Sequence, residues 1–472
     1  MRPFFAIPLL LLLLPLFWLN ASAQDSINIH PQSYTVVGFN ISGNEKTKAY
    51  IIEREITVTI GDTVTDAELE SILIRSRQNI FNTQLFNFVE VTAASPSKNT
   101  LIFNIEVQER WYFWPLPILE NADRNFNTWW QDKDFGRLNY GVFLRQYNFR
   151  GRDETVQINF QWGYEREISA TYRIPYIDKS KKNGLSFKAG YSRQQEVNYA
   201  SEDNKRVFYE LEDEPLQENV FGGIEYRRRG ALYTSHWISL NYNSHSINDS
   251  LLHYADDYFE EGDLSLKYLS LNYTFRFDKR DNINYPLKGD FVQFYSVYRN
   301  GMLFSKQKDF ELMEASLTLS KYFKISNRWY YAASAYGKKA LINTPPYALQ
   351  EGLGYSNFVR GYELYVFDAQ DYFLFKSHLK FNLIPTRIKE LPIIKNKKFK
   401  KYFYAIYLNL NADAGYAEDA LYYSSNPMSN SWLFGYGTGL DLVSYYDIVV
   451  RAEYSRNIEN EDGFYLHFKK AF

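Results

Sequence analysis

Side chains able to do covalent chemistry are sparse in this 472-residue chain. It has no cysteine, which removes disulfides, thiolate nucleophiles, thiolate metal sites and a lipid-modified N-terminal Cys. The 6 histidines are scattered, and His236, His245 and His253 lack the close spacing of metal ligands. "GYSNF" misses the second glycine of a G-x-S-x-G nucleophile elbow, and no glycine-rich nucleotide loop is present. The expectation is therefore no enzyme, no metal and no cofactor. One compact group stands out, Val359, Arg360, Gly361 and Tyr362 in "EGLGYSNFVRGYELYVF". A guanidinium there can only do non-covalent work, as a charge-assisted hydrogen-bond donor.

The elements that would carry this group are strands. "ETVQINFQW" sets Val156, Ile158, Phe160 and Trp162 against Gln157, Asn159 and Gln161; "YLSLNYTFRFD", "HLKFNLI" and "AIYLNLNADAG" alternate the same way. The last residues, "GFYLHFKKAF", keep the alternation to the end, with Phe464, Leu466, Phe468 and Phe472 on one side. About 16 such segments, most of about 9 to 14 residues, suit tilted membrane strands better than soluble ones. They fall at 139–147, 153–163, 165–175, 184–199, 205–212, 218–228, 232–245, 266–277, 289–299, 308–322, 328–340, 372–384, 402–413, 432–443, 445–456 and 463–472. The long connections, 246–265, 341–371 and 414–431, follow odd-numbered segments, as extracellular loops of an outer-membrane barrel do. The basic stretch 385–401 is the exception and reads as a solvated turn.

Composition agrees. The chain holds 41 Tyr and 36 Phe, the stuff of interfacial aromatic girdles. Its net charge of −2 offers no field for nucleic acid. Arg2, the apolar run Phe4 to Leu19 and the small pair Ala21 and Ala23 predict a signal peptide over residues 1–23. No later run of about 20 apolar residues could form a spanning helix.

Residues 31–112 read as a small β-α-α-β-β domain: a strand ending at the Gly43-Asn44 turn, a short helix opened by Thr47, the Gly61-Asp62 turn, and a helix with a Thr65/Glu68 capping box. Two strands follow, "LFNFVEV" with Phe86, Val89 and Val91, and "TLIFNIEVQE". The joint spacing of Gly43, Asn44, Gly61, Asp62, Phe86 and Val89 resembles a POTRA (polypeptide-transport-associated) domain. Residues 113–136, with four Trp in "WYFWPLPILENADRNFNTWW" nearby, read as an aromatic linker, and 137–472 as the barrel.

With that domain in front, Val359-Arg360-Gly361-Tyr362 resembles the V-R-G-[FY] motif in the sixth extracellular loop of the BamA/TamA-type outer-membrane assembly superfamily, and the segment count puts it in that loop. The resemblance implies a loop folded into the lumen. A buried guanidinium then needs a carboxylate. Asp413, with Gly415, matches the family's F-x-D-x-G pattern, Asn411 standing where the aromatic would be. "FRFDKRDNINYPLKGDF" resembles the family's turn between strands eight and nine. A terminal aromatic, Phe472, is similar to the family's insertion signal, which would include Gly463, Phe464, Leu466 and Phe468. The implied function is insertion, assembly or translocation of unfolded client polypeptides at a Gram-negative-type outer membrane. The POTRA domain, in the periplasm, would capture strands, and the seam between strands 139–147 and 463–472 would open. Membrane lipids and accessory periplasmic or lipoprotein subunits are the other implied partners. Alternatives are a two-partner-type secretion pore and a passive channel or surface receptor; a single POTRA domain is fewer than either the assembly core or the secretion pore usually carries.

Overall fold

The computed structural model describes residues 32–121, 138–211, 214–259, 262–304, 309–444, 446 and 448–469. The expected signal peptide, Trp129, Trp130 and Phe472 lie outside these residues.

The N-terminal unit runs β1 (Ser33–Ser42), α1 (Ala49–Glu53), β2 (Thr63–Thr65), α2 (Asp66–Asn82), β3 (Phe86–Ala94) and β4 (Thr100–Glu109). Its sheet has the order β2-β1-β4-β3, with β1 and β4 parallel. The Thr65/Glu68 capping box is present at the start of α2. Val36, Ile52, Ile80, Phe86, Val89, Phe103 and Ile105 form one core. Gly43 sits at φ +83°, and a Cβ there would meet the Val107 carbonyl oxygen at 1.9 Å, so only glycine allows this turn to press on β4. Asn44 donates from Nδ2 to the Thr47 carbonyl at 2.9 Å, and Asp62 Oδ2 accepts from the Thr59 N–H at 2.7 Å across the Gly61 turn. Thr47 does not cap α1; that place falls to Lys48.

The remainder is built from β5 (Phe113–Asn121), β6 (Leu138–Phe149), β7 (Glu154–Gly163), β8 (Glu165–Ile174), β9 (Asn183–Gln194), β10 (Glu196–Glu202), β11 (Lys205–Glu210), β12 (Gln217–Ala231), β13 (Thr234–Ile247), β14 (Ser265–Asp278) and β15 (Gly289–Asn300). It continues through β16 (Glu311–Lys324), β17 (Trp329–Ile342), β18 (Asp371–Glu390), β19 (Lys401–Glu418), β20 (Trp432–Ser444), β21 (Val449–Asn457) and β22 (Asp462–Lys469). All except β10 and β11 join one 16-stranded antiparallel sheet ordered by sequence, from β5 to β22. Its polarity is that of a membrane barrel. On β19, Leu408 and Leu410 are 40% and 54% exposed while Asn409, Asn411 and Asp413 are at most 5% exposed. A soluble sandwich would show the reverse. Leu240, Leu271, Leu319, Leu440 and Phe464 continue the outward apolar band. Tyr285, from the β14–β15 turn, reaches β20, where its hydroxyl donates to Asp441 Oδ2 at 2.7 Å, and its ring stands 4.9 Å from that of Tyr407 on β19. Among the described residues no helix is long and apolar enough to cross a membrane.

Three expectations are corrected. The segment 113–136 is not wholly a linker: its first nine residues are β5, the first barrel strand. Pro115 and Pro117 disguise the alternation, yet proline is admissible on a terminal strand of a sheet, where one edge needs no donor. The segment 205–212 is not a barrel strand. Lys205–Glu210 pairs with Glu196–Glu202 in a separate hairpin turned by Asp203 and Asn204, both at positive φ. Seven and six residues at about 3.3 Å each are too short for a tilted crossing. One strand missed and one overcounted cancel, so the loop bearing Arg360 still joins the eleventh and twelfth barrel strands, β17 and β18. Consequently the seam lies between β5 and β22, not between 139–147 and 463–472. Finally, 385–401 is solvated over residues 385–393, as expected, but it is more than a turn. β18 and β19 run on as a hairpin, closed by a helical turn at Lys397–Lys400, that reaches the POTRA-like unit.

Candidate functional site: the lumenal loop, the periplasmic junction and the seam

The loop between β17 and β18 lies along the inner wall formed by β18 to β22. Arg360 is 3% exposed. Its Nη1 lies 2.6 Å from Asp413 Oδ1 on β19, and its Nε 2.6 Å from Glu453 Oε1 on β21. The Arg360 N–H also donates to Asp413 Oδ2 at 3.3 Å. Lys376 Nζ stands 3.6 Å from the same oxygen. Asn411 Nδ2 donates to Glu453 Oε2 at 3.2 Å, which adds the support a buried charge needs.

The flanking residues fix the backbone. Gly361 has φ +80°, and a Cβ there would fall 2.7 Å from the Asn457 nitrogen on β21; Asn457 Nδ2 donates to the Gly361 carbonyl at 2.8 Å. A Cβ on Gly435 would strike the Arg360 carbonyl oxygen at 1.7 Å, and one on Gly415 would meet Val359 Cγ2 at 2.5 Å. Val359 and Tyr362, each 1% exposed, pack with Leu353, Phe367, Tyr372 and Leu433. Thus the four motif residues, Asp413 and Gly415 are brought together. Glu453, Lys376 and Gly435 complete the anchor and were not anticipated; the alternate glycines of "WLFGYGTGLDL" were the one sequence signal, since small residues mark close backbone approach. Glu363, Glu453 and His467 also converge, one ligand atom each within 4.8 Å of the others, and the Arg360 guanidinium supplies counter-charge at Glu453. Outside, the β10–β11 hairpin ties the loops together: the Asp203 N–H donates to the Ser425 carbonyl at 2.9 Å and the Val366 N–H to the Asn204 carbonyl at 2.8 Å.

The POTRA-like unit docks on several turns at one end of the barrel. Arg229 Nη2, at the end of β12, donates to Glu55 Oε2 at 2.7 Å, and the Arg54 guanidinium lies 3.6 Å from the Tyr176 ring centroid. Thr47 Oγ1 donates to Glu109 Oε1 at 2.6 Å and accepts from Asn148 Nδ2 at 2.8 Å. Arg75 Nε donates to Tyr233 Oη at 2.7 Å. Asn82 Oδ1 accepts from the Ile283 N–H at 3.2 Å, and Asn87 Nδ2 donates to the Lys398 carbonyl at 3.0 Å. Burial works to raise the Glu55 carboxyl, but hydrogen bonds and charge from Arg229, with Arg54, outweigh it and hold the group below its ordinary value. β3 pairs only with β4 among the described residues, which leaves Glu90–Ala94 as an open strand edge.

The sheet order begins at β22 and ends at β5, and among the described residues no ladder joins the two. At the end of this seam next to the POTRA-like unit the Trp111 N–H donates to Tyr446 Oη at 3.0 Å, and the Trp114 and Tyr446 rings meet edge-on at 5.1 Å. Phe399 packs beside both, 6.2 Å from Trp114 and 5.6 Å from Tyr446. Of the terminal residues singled out, Phe464 and Phe468 face outward at 84% and 57% exposed; Gly463 and Leu466 are part-buried on the same strand.

Comparison with known proteins agrees with this architecture. Residues 34–110 match the POTRA family, described as surface antigen variable number repeat. The fold is similar to that of BamA from Haemophilus ducreyi lacking POTRA domains 1-3, with 11% identity, a TM-score of 0.51, and 92% of this chain and 84% of that chain covered. It is similar to CdiB from Escherichia coli, with 11% identity, a TM-score of 0.51, and coverage of 95% and 91%. No curated protein matches the chain by sequence. The fold and its outward apolar band define a membrane-type β-barrel preceded by a POTRA domain. A POTRA domain ahead of a 16-stranded sheet is the arrangement that the chain shares in fold with the BamA and CdiB structures.

Proposed function

We propose that this protein inserts, assembles or translocates client polypeptides at the outer membrane. The open β3 edge captures an extended client segment by strand addition, which needs backbone groups rather than a particular sequence. The barrel then opens between β5 and β22 and offers strand edges to the client at the bilayer. No covalent step or nucleotide is required; folding of the client supplies the free energy. The observation that carries this reading is the seam, two terminal strands lacking a ladder among the described residues beside a loop pinned to the adjoining wall. Depletion tests it: outer-membrane barrel proteins should vanish from the membrane fraction while their transcripts persist. An unchanged outer-membrane protein profile would overturn the reading. A two-partner-type secretion pore remains the second reading, since the protein has the same likeness to CdiB. Loss of one secreted protein, with outer-membrane barrels intact, would favour it.

A further inference from the structure

The junction between the POTRA-like unit and the barrel encloses a cavity of about 530 Å³. On β12 the exposed Val220 and Ile224 point outward, so Glu225, Arg227 and Arg229 point into the lumen, where the cavity lies. Arg173 from β8 and Arg276 from β14 line it too, and Gln84, just after α2, lines it from the POTRA side. Two of its carboxylates are committed, Glu55 to Arg229 and Arg54, and Asp278 to Arg280. Asp153 and Glu225 remain, yet among the described residues neither forms an ion pair with Arg173, Arg227 or Arg276, so three guanidiniums share the space with two carboxylates. A second cavity of the same volume shares Gln84, Arg173 and Glu225, and adds Arg145 and Lys188 without a further carboxylate. The potential across the two is therefore positive. The guanidiniums are also held in place. Those of Arg227 and Arg276 lie 5.3 and 4.9 Å from the centroid of the Trp237 ring on β13. Arg276 directs Nε and Nη2 at one acceptor, Gln293 Oε1, at 3.0 and 2.7 Å, and keeps Nη1. Arg173 Nη2 donates to Thr155 Oγ1 at 3.1 Å. Arg227 makes no hydrogen bond among the described residues, and its Nε is buried without an acceptor. A guanidinium so placed costs free energy until an anion completes its hydrogen bonds.

We propose that this cavity is a binding site for a phosphate-type dianion, gripped by Arg227, Arg276 and Arg173 on the barrel wall, with the Gln84 amide donating from the POTRA side. A lone carboxylate serves one guanidinium in the bidentate way, whereas a tetrahedral dianion has oxygens enough for three that come from different strands. Bound there, the group touches both units and strengthens their docking. Free phosphate and the head group of a phospholipid share this chemistry and are the two sources. The proposal does not depend on whether the protein handles client strands.

The test uses the full mature chain folded in dodecyl maltoside micelles. Equilibrium dialysis measures the binding of two radiolabelled probes, inorganic phosphate and dihexanoyl phosphatidic acid. At least one of them should bind saturably, one molecule per chain. Arg227→Gln and Arg276→Gln should each weaken that binding by about tenfold or more, the loss expected for a charge-assisted hydrogen bond. Lys339→Gln, an exposed cation at the opposite end of β17, should leave it unchanged. The bound probe should also raise the thermal midpoint of the native chain but not that of Arg227→Gln. That variant breaks no hydrogen bond, so it should keep the heat-modifiable mobility of a folded barrel. Phosphatidic acid binding tighter than phosphate by about tenfold or more assigns the site to a lipid head group, and comparable or weaker binding assigns it to free phosphate. Absence of saturable binding of both probes, or binding that the two arginine variants leave unchanged, overturns the proposal. So does an acidic peptide that binds at these arginines where neither phosphate probe does.

Discussion

Arg360 is held by two carboxylates on strands that are not adjacent, Asp413 on β19 and Glu453 on β21, so it ties the loop across the wall nearest the seam. Removing a buried partner costs more than the pair contributes, because the remaining charges lose their compensation. Arg360→Met should destabilise the folded barrel by about 3–5 kcal/mol, read from denaturant unfolding, and should expose residues 343–370 to protease added outside. The reciprocal swap Arg360→Asp/Asp413→Arg should rescue only in part, since Glu453 would then face the new aspartate. Full rescue would show that Glu453 is dispensable. Gly435→Ala tests the same seat without changing charge: its Cβ cannot coexist with the Arg360 carbonyl at 1.7 Å, so the loop should again become protease-sensitive. The Arg360–Asp413 pair was legible because a local motif marks each partner. Glu453 and Lys376 were not, because lumen-facing charges on neighbouring strands look like any other polar position of an alternating strand.

Strands with clean alternation, such as β7, β14 and β19, were legible from period alone. β5 was not, because Pro115 and Pro117 argue against a central strand and nothing local says that it is terminal. The β10–β11 hairpin failed in the opposite direction: its alternation is real, but its length forbids a membrane crossing. The β18–β19 hairpin is solvated along residues 385–393, as its composition says, but nothing local shows that Lys398 and Phe399 at its tip reach a different domain. Replacing residues 391–399 with a two-residue turn should leave the barrel folded, by its heat-modifiable mobility, while making the connection near residues 110–112 easier to cleave. Unchanged cleavage would show that the hairpin does not hold the POTRA domain. Tyr446→Ala, which removes the acceptor for the Trp111 N–H and the ring beside Trp114, should lower the thermal stability of the seam end more than Tyr446→Phe, which keeps the ring.

At the scale of the molecule, one of the contacts that dock the POTRA domain on the barrel is the Glu55–Arg229 ion pair, whose charge depends on pH. The Glu55 carboxyl sits below its ordinary value of 4.5 beside Arg229, so the folded state favours its charged form. The docking it contributes is fully present above the ordinary carboxylate value and is lost as pH falls through the lower, docked-state value. Spin-label distances between the POTRA domain and the β12–β13 turn should lengthen on acidification below about pH 4.5, and Glu55→Gln should remove that dependence. The domain order could be read from the sequence, but the docking could not, since its partners lie up to 311 residues apart and pair only once the barrel has formed.

The account as a whole depends on the seam opening. The chain contains no cysteine, so one introduced into β5 and one into β22, scanned over the register, form the sole disulfide. The decisive measurement is client insertion into vesicles carrying this locked protein, before and after reduction. Insertion should stop in the oxidised form and return with reductant; undiminished insertion by the fully locked barrel would contradict the account.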